Sequence, residues 1–213
     1  ASCLVGSEMC IRDSHLPIDL ILDSPKKNYE NVYVFDCGNS ERLGDLEEIA
    51  LNSARVIVVD HHINPSFGDI QVIDSNAAST TQVLFREILS AKIAIDKNIA
   101  NCLMTGLITD TGRFQYSNTD NEVFEIASKL MLSGAELTSI SDNIYGSIPL
   151  NAIKLQSEVL NRIELYEDEE LVVSYVLQED YQNYNIDSSE TDFLIDSIRS
   201  VSYTHLTLPT ICS

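Results

Sequence analysis

Short apolar runs alternate with longer amphipathic segments through the first two thirds of the chain. Runs rich in β-branched or aromatic residues predict strands at 18–22, 31–36, 55–59 and 70–73. Apolar residues at helical spacing predict helices at 41–52, 79–89, 97–108 and 136–145. A strand, a helix and a second strand with short connections form a βαβ unit, so the strands should pair in parallel. The pattern therefore predicts the α/β fold class, with a parallel sheet and flanking helices.

One more helix is predicted from its end signals. The segment Thr119-Asp120-Asn121-Glu122 has the form of a capping box, in which the first and last side chains bind each other's backbone amides. Gly134 suits the end of the helix that follows.

The hydrophobic pattern changes at Pro149, which suits the first turn of a helix. That helix has one predicted core-facing stripe, formed by Leu150, Ile153, Ser157 and Leu160. Beyond it, strand-like segments at 163–166 and 171–177 predict a hairpin with a solvated acidic turn at 167–170, and 187–199 is expected to be helical.

These changes predict how the chain divides into domains. We expect a parallel-sheet domain over residues 15–147, a linker helix over 148–162 and the start of a smaller α/β domain over 163–201. A hairpin and one helix, about 40 residues, are marginal as an independent fold.

The two ends differ in style from the interior. Residues 1–14 (ASCLVGSEMCIRDS) and 202–213 (SYTHLTLPTICS) resemble peptides translated from sequencing-adapter DNA at the ends of metagenomic reads. We expect both to be artefacts outside the natural fold. The alternative is a genuine N-terminal extension and C-terminal tail.

Composition and charge restrict the partners. The chain is 44% apolar and 22% charged, as is ordinary for a soluble globular protein. It has no apolar stretch near the roughly 18–20 residues of a membrane span, so no membrane association is expected. A net charge of −20 argues against binding long duplex nucleic acid through a basic face. A phosphate ester substrate remains compatible, because bound metal ions can invert the local field.

The five cysteines include no CxxC pair, so neither a zinc knuckle nor a disulfide framework is indicated. Cys37 and Cys102 are interpreted as reduced thiols of a cytoplasmic protein.

Metal-binding side chains follow the predicted buried strands. Asp60, His61 and His62 come directly after an apolar run, and Asp36 and Asp110 each follow an apolar segment and precede a turn. Such turns meet at one edge of an open sheet, where converging carboxylates would repel one another without a cation. Carboxylate and imidazole suit Mn or Zn better than Ca. Singly, however, these aspartates could be turn residues or helix caps.

Three segments, VFDCGNSERLGD, VVDHHINPSFGD and TGLITDTGRFQYSNT, resemble motifs II, III and IV of the DHH phosphoesterase family. Their order and spacing are similar to the branch of nano-RNases (oligoribonucleases) that also act as 3′-phosphoadenosine 5′-phosphate phosphatases. The resemblance covers about residues 18–200. It implies two Mn²⁺ ions, with Mg²⁺ as a second option, and two-metal activation of water against short RNA or a nucleotide phosphate. A homodimer is also compatible with it.

The resemblance also implies roles for individual residues. Asp36 would bridge the two ions, while His61 and Asp110 would each be metal ligands. Asp60 would coordinate a metal or orient a ligand. His62 would contact the phosphate or protonate the leaving group.

Residues near the motifs could contact substrate. Arg113 could reach a phosphate, or it could be a surface arginine paired with an acid. Asn39 could donate to phosphate, and so could Asn118, although turn shaping accounts for both. Phe114 and Tyr116 could stack a base, or they could alternate as in an ordinary strand.

Two parts of the family pattern are expected to be missing. Motif I should precede residue 15, and the C-terminal substrate-binding domain would only begin within 163–201. We therefore expect a parent phosphoesterase and a weak or inactive 213-residue chain. Alternatives are a cyclic-dinucleotide phosphodiesterase or an inorganic pyrophosphatase of the same family, although DTGRFQYSNT resembles the oligoribonuclease type. A non-catalytic nucleotide-binding module is the alternative of a different class.

Overall fold

The computed structural model describes residues 28–63, 65–146, 148–166, 171–187 and 192–199. The predicted strand 18–22, both end segments and the acidic turn 167–170 lie outside these residues. The chain forms two compact units that divide between Ile144 and Tyr145. Within the described ranges, no helix is long and apolar enough to cross a membrane.

The first unit is built on a parallel sheet whose strands are β1 (Val32–Phe35), β2 (Val56–Asp60) and β3 (Ile70–Ile73), in the order β1-β2-β3. All five residues of β2, the central strand, are buried. A strand covered on both faces is expected to be a continuous apolar run, as this one is. The predicted α/β class, the parallel pairing and these three strands are confirmed.

Helices flank this sheet in the order of the chain. A 3₁₀ segment, Ser40–Leu46, leads into α1 (Glu47–Leu51), and the later helices are α2 (Thr80–Ser90), α3 (Lys97–Asp110), α4 (Asn121–Leu132) and α5 (Leu137–Tyr145). The helix predicted at 41–52 is therefore interrupted, and Gly44 at the interruption has a φ of +54°. Asp110 is the last residue of α3, so its predicted place in a polar turn was wrong.

A glycine lets α3 approach α2 closely. A Cβ atom on Gly106 would lie 2.4 Å from Cγ2 of Thr81 on α2, a distance at which one of them would have to move. Because α3 ends at Asp110, this close packing helps to set the position of the Asp110 carboxylate.

The predicted capping box at the start of α4 was wrong. Asp120 is the N-cap, and its side chain accepts a 2.9 Å hydrogen bond from the backbone N–H of Val123. The carboxylate of Glu122 instead accepts hydrogen bonds of 2.8 and 2.6 Å from the guanidinium of Arg86. Charge-assisted bonds of this kind are stronger than a bond to a neutral backbone amide, so Glu122 points away from the helix start.

The second unit has its own core. Its elements are α6 (Leu150–Asn161), β4 (Glu164–Tyr166), β5 (Leu171–Val173), α7 (Gln178–Tyr184) and α8 (Asp192–Arg199). β4 and β5 pair antiparallel, which confirms the hairpin pairing. The core joins residues of α6 to the end of α7 and to α8, namely Ala152, Leu155, Val159, Ile186 and Leu194.

The predicted core stripe of α6 was wrong. Leu150 is 67% exposed and Ile153 is 46% exposed, whereas Leu155 is fully buried. The helix has apolar residues on two faces, and packing against α7 and α8 selects the face with Leu155. The polar sequence of α7 gave no periodic signal, and α7 was not predicted.

Candidate metal centre at the end of β2

The end of the sheet brings two aspartates together. β1 and β2 pair with Phe35 opposite Val59, so Asp36 just after β1 lies beside Asp60 at the end of β2. Asp36 has a φ of +57°, a left-handed conformation that costs energy in most residues and is best tolerated by Asn and Asp. Such strain persists where the surrounding structure imposes it, often at functional sites.

Four side chains converge at this edge. Each of Asp36, Asp60, His61 and His62 offers one donor atom, and these atoms all lie within 4.8 Å of one another. The structure thus brings together four of the five residues predicted as metal ligands or catalytic groups in motifs II to IV.

Asp60 is at the centre of the cluster and is fully buried. Its Oδ1 accepts hydrogen bonds from the backbone N–H groups of His61, at 2.6 Å, and His62, at 3.0 Å. Burial raises the pKa of Asp60, but these bonds and one from the His62 ring hold it below its usual value. Among the described residues, its other oxygen, Oδ2, is buried without a hydrogen-bond partner. Asp60 is therefore an ionised carboxylate with one oxygen open to a cation.

The two imidazoles have different partners. His61 places Nδ1 3.2 Å from the carbonyl oxygen of Ala77, so this nitrogen carries the proton and donates it. A metal-binding histidine typically donates its other ring N–H to a carbonyl or carboxylate in this way. The Nε2 atom of His61 lies 3.6 Å from Asp36 Oδ1 and 3.9 Å from Asp110 Oδ2, too far for hydrogen bonds.

Asp110 reaches the cluster from the end of α3. Burial and the negative charge of Asp36 raise the pKa of Asp110 to about 6, and the two histidines only partly offset this. Two carboxylates in one site disfavour each other's ionisation, and a cation between them relieves the repulsion.

Thr80, at the start of α2, was not predicted as a site residue. Its hydroxyl donates a 2.7 Å hydrogen bond to Asp36 Oδ1 and lies 3.4 Å from Asp60 Oδ1. The available signal was the Ser79-Thr80-Thr81 run at a helix start, but that run was explained by helix capping, and Ser79 is indeed the N-cap.

The predicted substrate-contacting residues lie around this edge in varied settings. Arg113 is exposed and has a φ of +61°, within a left-handed turn that follows α3. Asn39 caps the 3₁₀ segment, where its Oδ1 accepts a 3.1 Å bond from Glu41 N. Asn118 donates to the backbone oxygens of Asp110, at 3.0 Å, and Ala78, at 3.2 Å. Substrate contact by these side chains remains a prediction.

The two aromatic residues after Gly112 lie in this turn and not in a strand, so the alternating-strand interpretation was wrong. Phe114 packs against Phe124 with ring centroids 5.5 Å apart. The ring of Tyr116 covers Gly112, because a Cβ there would lie 2.3 Å from ring carbons. Gly112 has a φ of +52°, so both its space and its backbone require glycine.

This donor set fits a divalent cation. It offers carboxylates and neutral imidazoles, the ligands that suit Mn and Zn, and the buried Oδ2 of Asp60 needs a positive partner. The cluster could therefore hold a metal ion. Cys37 and Cys102 are both free thiols, as predicted.

Comparison with known proteins gives a family match. Residues 3–107 match the DHH family, N-terminal domain. This range includes β1 to β3 and ends just before Asp110. It also begins inside the end segment 1–14, whose artefactual origin remains a prediction.

Curated relatives share part of their length with this chain. A probable bifunctional oligoribonuclease and PAP phosphatase from Streptococcus mutans is 28% identical over 179 residues, which are 82% of this chain and 56% of that protein. A bifunctional oligoribonuclease and PAP phosphatase from Thermus thermophilus is 33% identical over 112 residues, 52% of this chain and 34% of that protein. The chain thus spans about half or less of the curated relatives it matches.

A solved structure has the same fold. The exopolyphosphatase-related protein from Bacteroides fragilis matches with a TM-score of 0.74, covering 82% of this chain and 52% of that one at 24% identity. At this identity the likeness bears on the fold alone, and it agrees with the parallel-sheet architecture.

Proposed function

The chain belongs to the DHH family, and we propose that the protein is a metal-dependent phosphoesterase acting on short oligoribonucleotides, on 3′-phosphoadenosine 5′-phosphate, or on both. The observation that carries this proposal is the convergence of Asp36, Asp60, His61 and His62, with donor atoms within 4.8 Å of one another. The printed functions of the two curated relatives support the substrate class.

We propose that Asp36, His61 and Asp110 hold two Mn²⁺ ions, with Asp60 as a further ligand or as the residue that orients the histidines. Mg²⁺ is the second option. When bound, such ions lower the pKa of water and stabilise negative charge on a phosphoryl group. The left-handed backbone at Asp36 and the unpartnered Asp60 Oδ2 support the assignment, because both have a cost that a bound cation can offset.

His62 is proposed to act on the substrate. Its Nδ1 lies 2.7 Å from Asp60 Oδ1, so Nδ1 donates to the carboxylate and the ring is held in one tautomer. The His62 side chain is 45% exposed, which makes its Nε2 available to a phosphate. A protonated Nε2 could donate a hydrogen bond to a phosphate oxygen or its proton to the leaving group, while Asp60 stabilises the charged ring.

The overall charge supports a requirement for a cation. A chain with a net charge of −20 repels an anionic nucleotide, and two or three carboxylates at the site add to this repulsion. Substrate phosphate can approach these side chains only if positive charge is supplied locally. Arg113 and Asn39 are proposed as additional phosphate contacts.

Several further assignments remain proposals. Residues 15–147 would form the catalytic domain, 148–162 a linker helix and 163–201 the beginning of a substrate-binding domain. In the structure, 148–162 contains α6, which contributes to the core of the second unit. A cytoplasmic location, a homodimer and low activity of the 213-residue chain also remain proposals.

The test combines metal binding with a substrate panel. Mn²⁺ binding to the 213-residue chain would be measured by titration with electron paramagnetic resonance detection, for the native sequence, Asp36→Asn and His61→Ala. Glu125→Gln, an exposed acid on α4, is the control. We expect micromolar to millimolar binding that both site variants weaken and the control retains.

The same preparations would be assayed with dinucleotides, 3′-phosphoadenosine 5′-phosphate, pyrophosphate and cyclic dinucleotides. Turnover confined to pyrophosphate or to cyclic dinucleotides would assign the protein to one of the alternative activities. Metal-free binding of nucleotides without any turnover, also in a form extended to the length of the relatives, would favour a binding module. No Mn²⁺ binding by the native chain would count against the metal centre itself.

A further inference from the structure

We propose that Thr80 is a positioning residue of this site, whose hydroxyl holds the Asp36 carboxylate in the arrangement that binds metal. The inference rests on the proposed function, because it assumes that the cluster binds a divalent cation. It concerns a residue outside the three sequence motifs that define the cluster.

The geometry assigns the hydroxyl proton to Asp36. A threonine hydroxyl has one proton to donate, and hydroxyl-to-oxygen hydrogen bonds usually measure about 2.5–3.0 Å. Asp36 Oδ1 lies within that range at 2.7 Å, whereas Asp60 Oδ1 at 3.4 Å lies beyond it. In the part of the chain that the structure describes, this is the single hydrogen bond to the Asp36 carboxylate.

Asp36 has few other restraints. Its side chain is 51% exposed, and both nearby imidazole nitrogens lie beyond hydrogen-bond distance, at 3.6 Å for His61 and 3.7 Å for His62. Asp60 also carries negative charge close by, because one Thr80 hydroxyl lies near an oxygen of each carboxylate. Without the hydroxyl, repulsion and rotamer freedom would favour turning the Asp36 carboxylate toward water.

Thr80 is itself rigidly held. It is 5% exposed and β-branched, so few side-chain conformations are open to it. The helix start around it is fixed by two hydrogen bonds, from Gln82 N to Ser79 Oγ at 3.1 Å and from Ala78 N to Gln82 Oε1 at 2.7 Å. The donor is therefore preorganised.

Other threonines show what an ordinary structural hydroxyl does. Thr105 within α3, also 5% exposed, donates to the carbonyl oxygen of Asn101 one turn earlier, at 2.9 Å. Thr80 is the first residue of its helix and has no helical carbonyl one turn earlier. Its hydroxyl instead bonds a carboxylate 44 positions away in sequence.

The test compares Thr80→Val, which removes the hydroxyl at nearly constant shape, with Thr80→Ser, which keeps it. Thr105→Val is the matched control, because it removes an equally buried hydroxyl with no contact to the cluster. Mn²⁺ affinity would be measured on each 213-residue chain by calorimetric titration and by the resonance signal of bound Mn²⁺, beside circular dichroism and melting temperature. Loss of an outer partner of a metal ligand typically weakens binding about 10–100-fold. We expect that loss in Thr80→Val, recovery to within about threefold in Thr80→Ser, and no change in Thr105→Val.

The outcomes separate this inference from the proposed function. If the native chain binds no Mn²⁺, the proposed metal centre fails and this inference fails with it. If the native chain and Thr80→Val bind Mn²⁺ equally, the metal centre stands and the role of Thr80 is overturned. Thr80→Ala replaces the valine variant if the latter does not fold. If both hydroxyl-free variants are unfolded while Thr80→Ser is folded, the hydroxyl supports the fold and the inference is likewise overturned.

Discussion

The ring nitrogen Nδ1 of His62 lies 2.7 Å from Oδ1 of Asp60, a residue with no exposed surface. The neutral ring must donate here, so its tautomer is set by a buried carboxylate. The same oxygen accepts the backbone N–H of His62, which ties the ring and its backbone to one point. Asp60 therefore orients His62 whether or not it also coordinates a metal.

Asp60→Asn should separate metal binding from stability. The asparagine oxygen can accept the same backbone N–H groups, so we expect the free energy of unfolding without metal to change by less than about 1 kcal/mol. Mn²⁺ affinity should fall at least about 10-fold, because the open anionic oxygen is lost. Denaturant titration and Mn²⁺ titration would measure the two effects, with Asp45→Asn, an exposed acid in the 3₁₀ segment, as control. Unchanged affinity would exclude Asp60 from the metal centre.

Mn²⁺ should raise the stability of the native chain. A ligand that binds only the folded state adds about 2.7 kcal/mol at a concentration of 100 times its dissociation constant. We expect a higher melting temperature in Mn²⁺, reversed by a chelator, and a much smaller shift in Asp36→Asn. A shift of equal size in that variant would place the ion elsewhere.

Acid should destabilise the first unit through Arg86. A backbone N–H from Asn76 and the Arg86 guanidinium hold the pKa of Asp74 below its usual value, and Arg86 does the same for Glu122. These lowered pKa values contribute stability above the unfolded-state values of about 4, and the contribution is lost as pH falls from about 5 through the folded-state values. All three side chains are 33–39% exposed, so screening limits the loss to about 1 kcal/mol.

Arg86→Met should accordingly flatten the change in unfolding free energy between about pH 5 and pH 3. Denaturant titrations at several pH values would measure it. Arg55→Met is the control, because Arg55 is exposed and its guanidinium reaches only Asn31 Oδ1 at 3.4 Å among the printed side-chain bonds of the described residues. Identical slopes in Arg86→Met and the native chain would contradict a role of Arg86 in acid stability.

Gly106→Ala should destabilise the packing of α3 on α2. The new Cβ would lie 2.4 Å from Thr81 Cγ2, and overpacking of this kind costs about 1–3 kcal/mol, partly offset by the better helix propensity of alanine. Because α3 ends at Asp110, weaker Mn²⁺ binding should accompany the loss. Thr81→Ser removes the clashing methyl group, so Gly106→Ala combined with Thr81→Ser should recover most of the stability. Absence of recovery in this double-mutant cycle would contradict the contact.

Local pattern was sufficient where one side of the evidence dominated. β2 is a fully buried apolar strand and was recognised from its run of β-branched residues. The pattern failed at α6, where apolar residues occupy two faces, and at α4, where the Arg86 guanidinium attracts the Glu122 carboxylate away from the cap. It also failed for α7, which has mostly polar residues. In each case a partner distant in sequence decides the outcome.

The sequence by itself determined the α/β order of the first unit and the placement of Asp60, His61 and His62 at the end of a buried strand. These follow from hydrophobic periodicity and from residue order, both of which are local. Only the tertiary structure decided that Asp36, Asp110 and Thr80 meet this triplet. Parallel pairing brings Asp36 beside Asp60, close packing at Gly106 brings in the end of α3, and a hydrogen bond across 44 positions links Thr80 to Asp36. Such distances depend on how the elements pack together, which local periodicity does not specify.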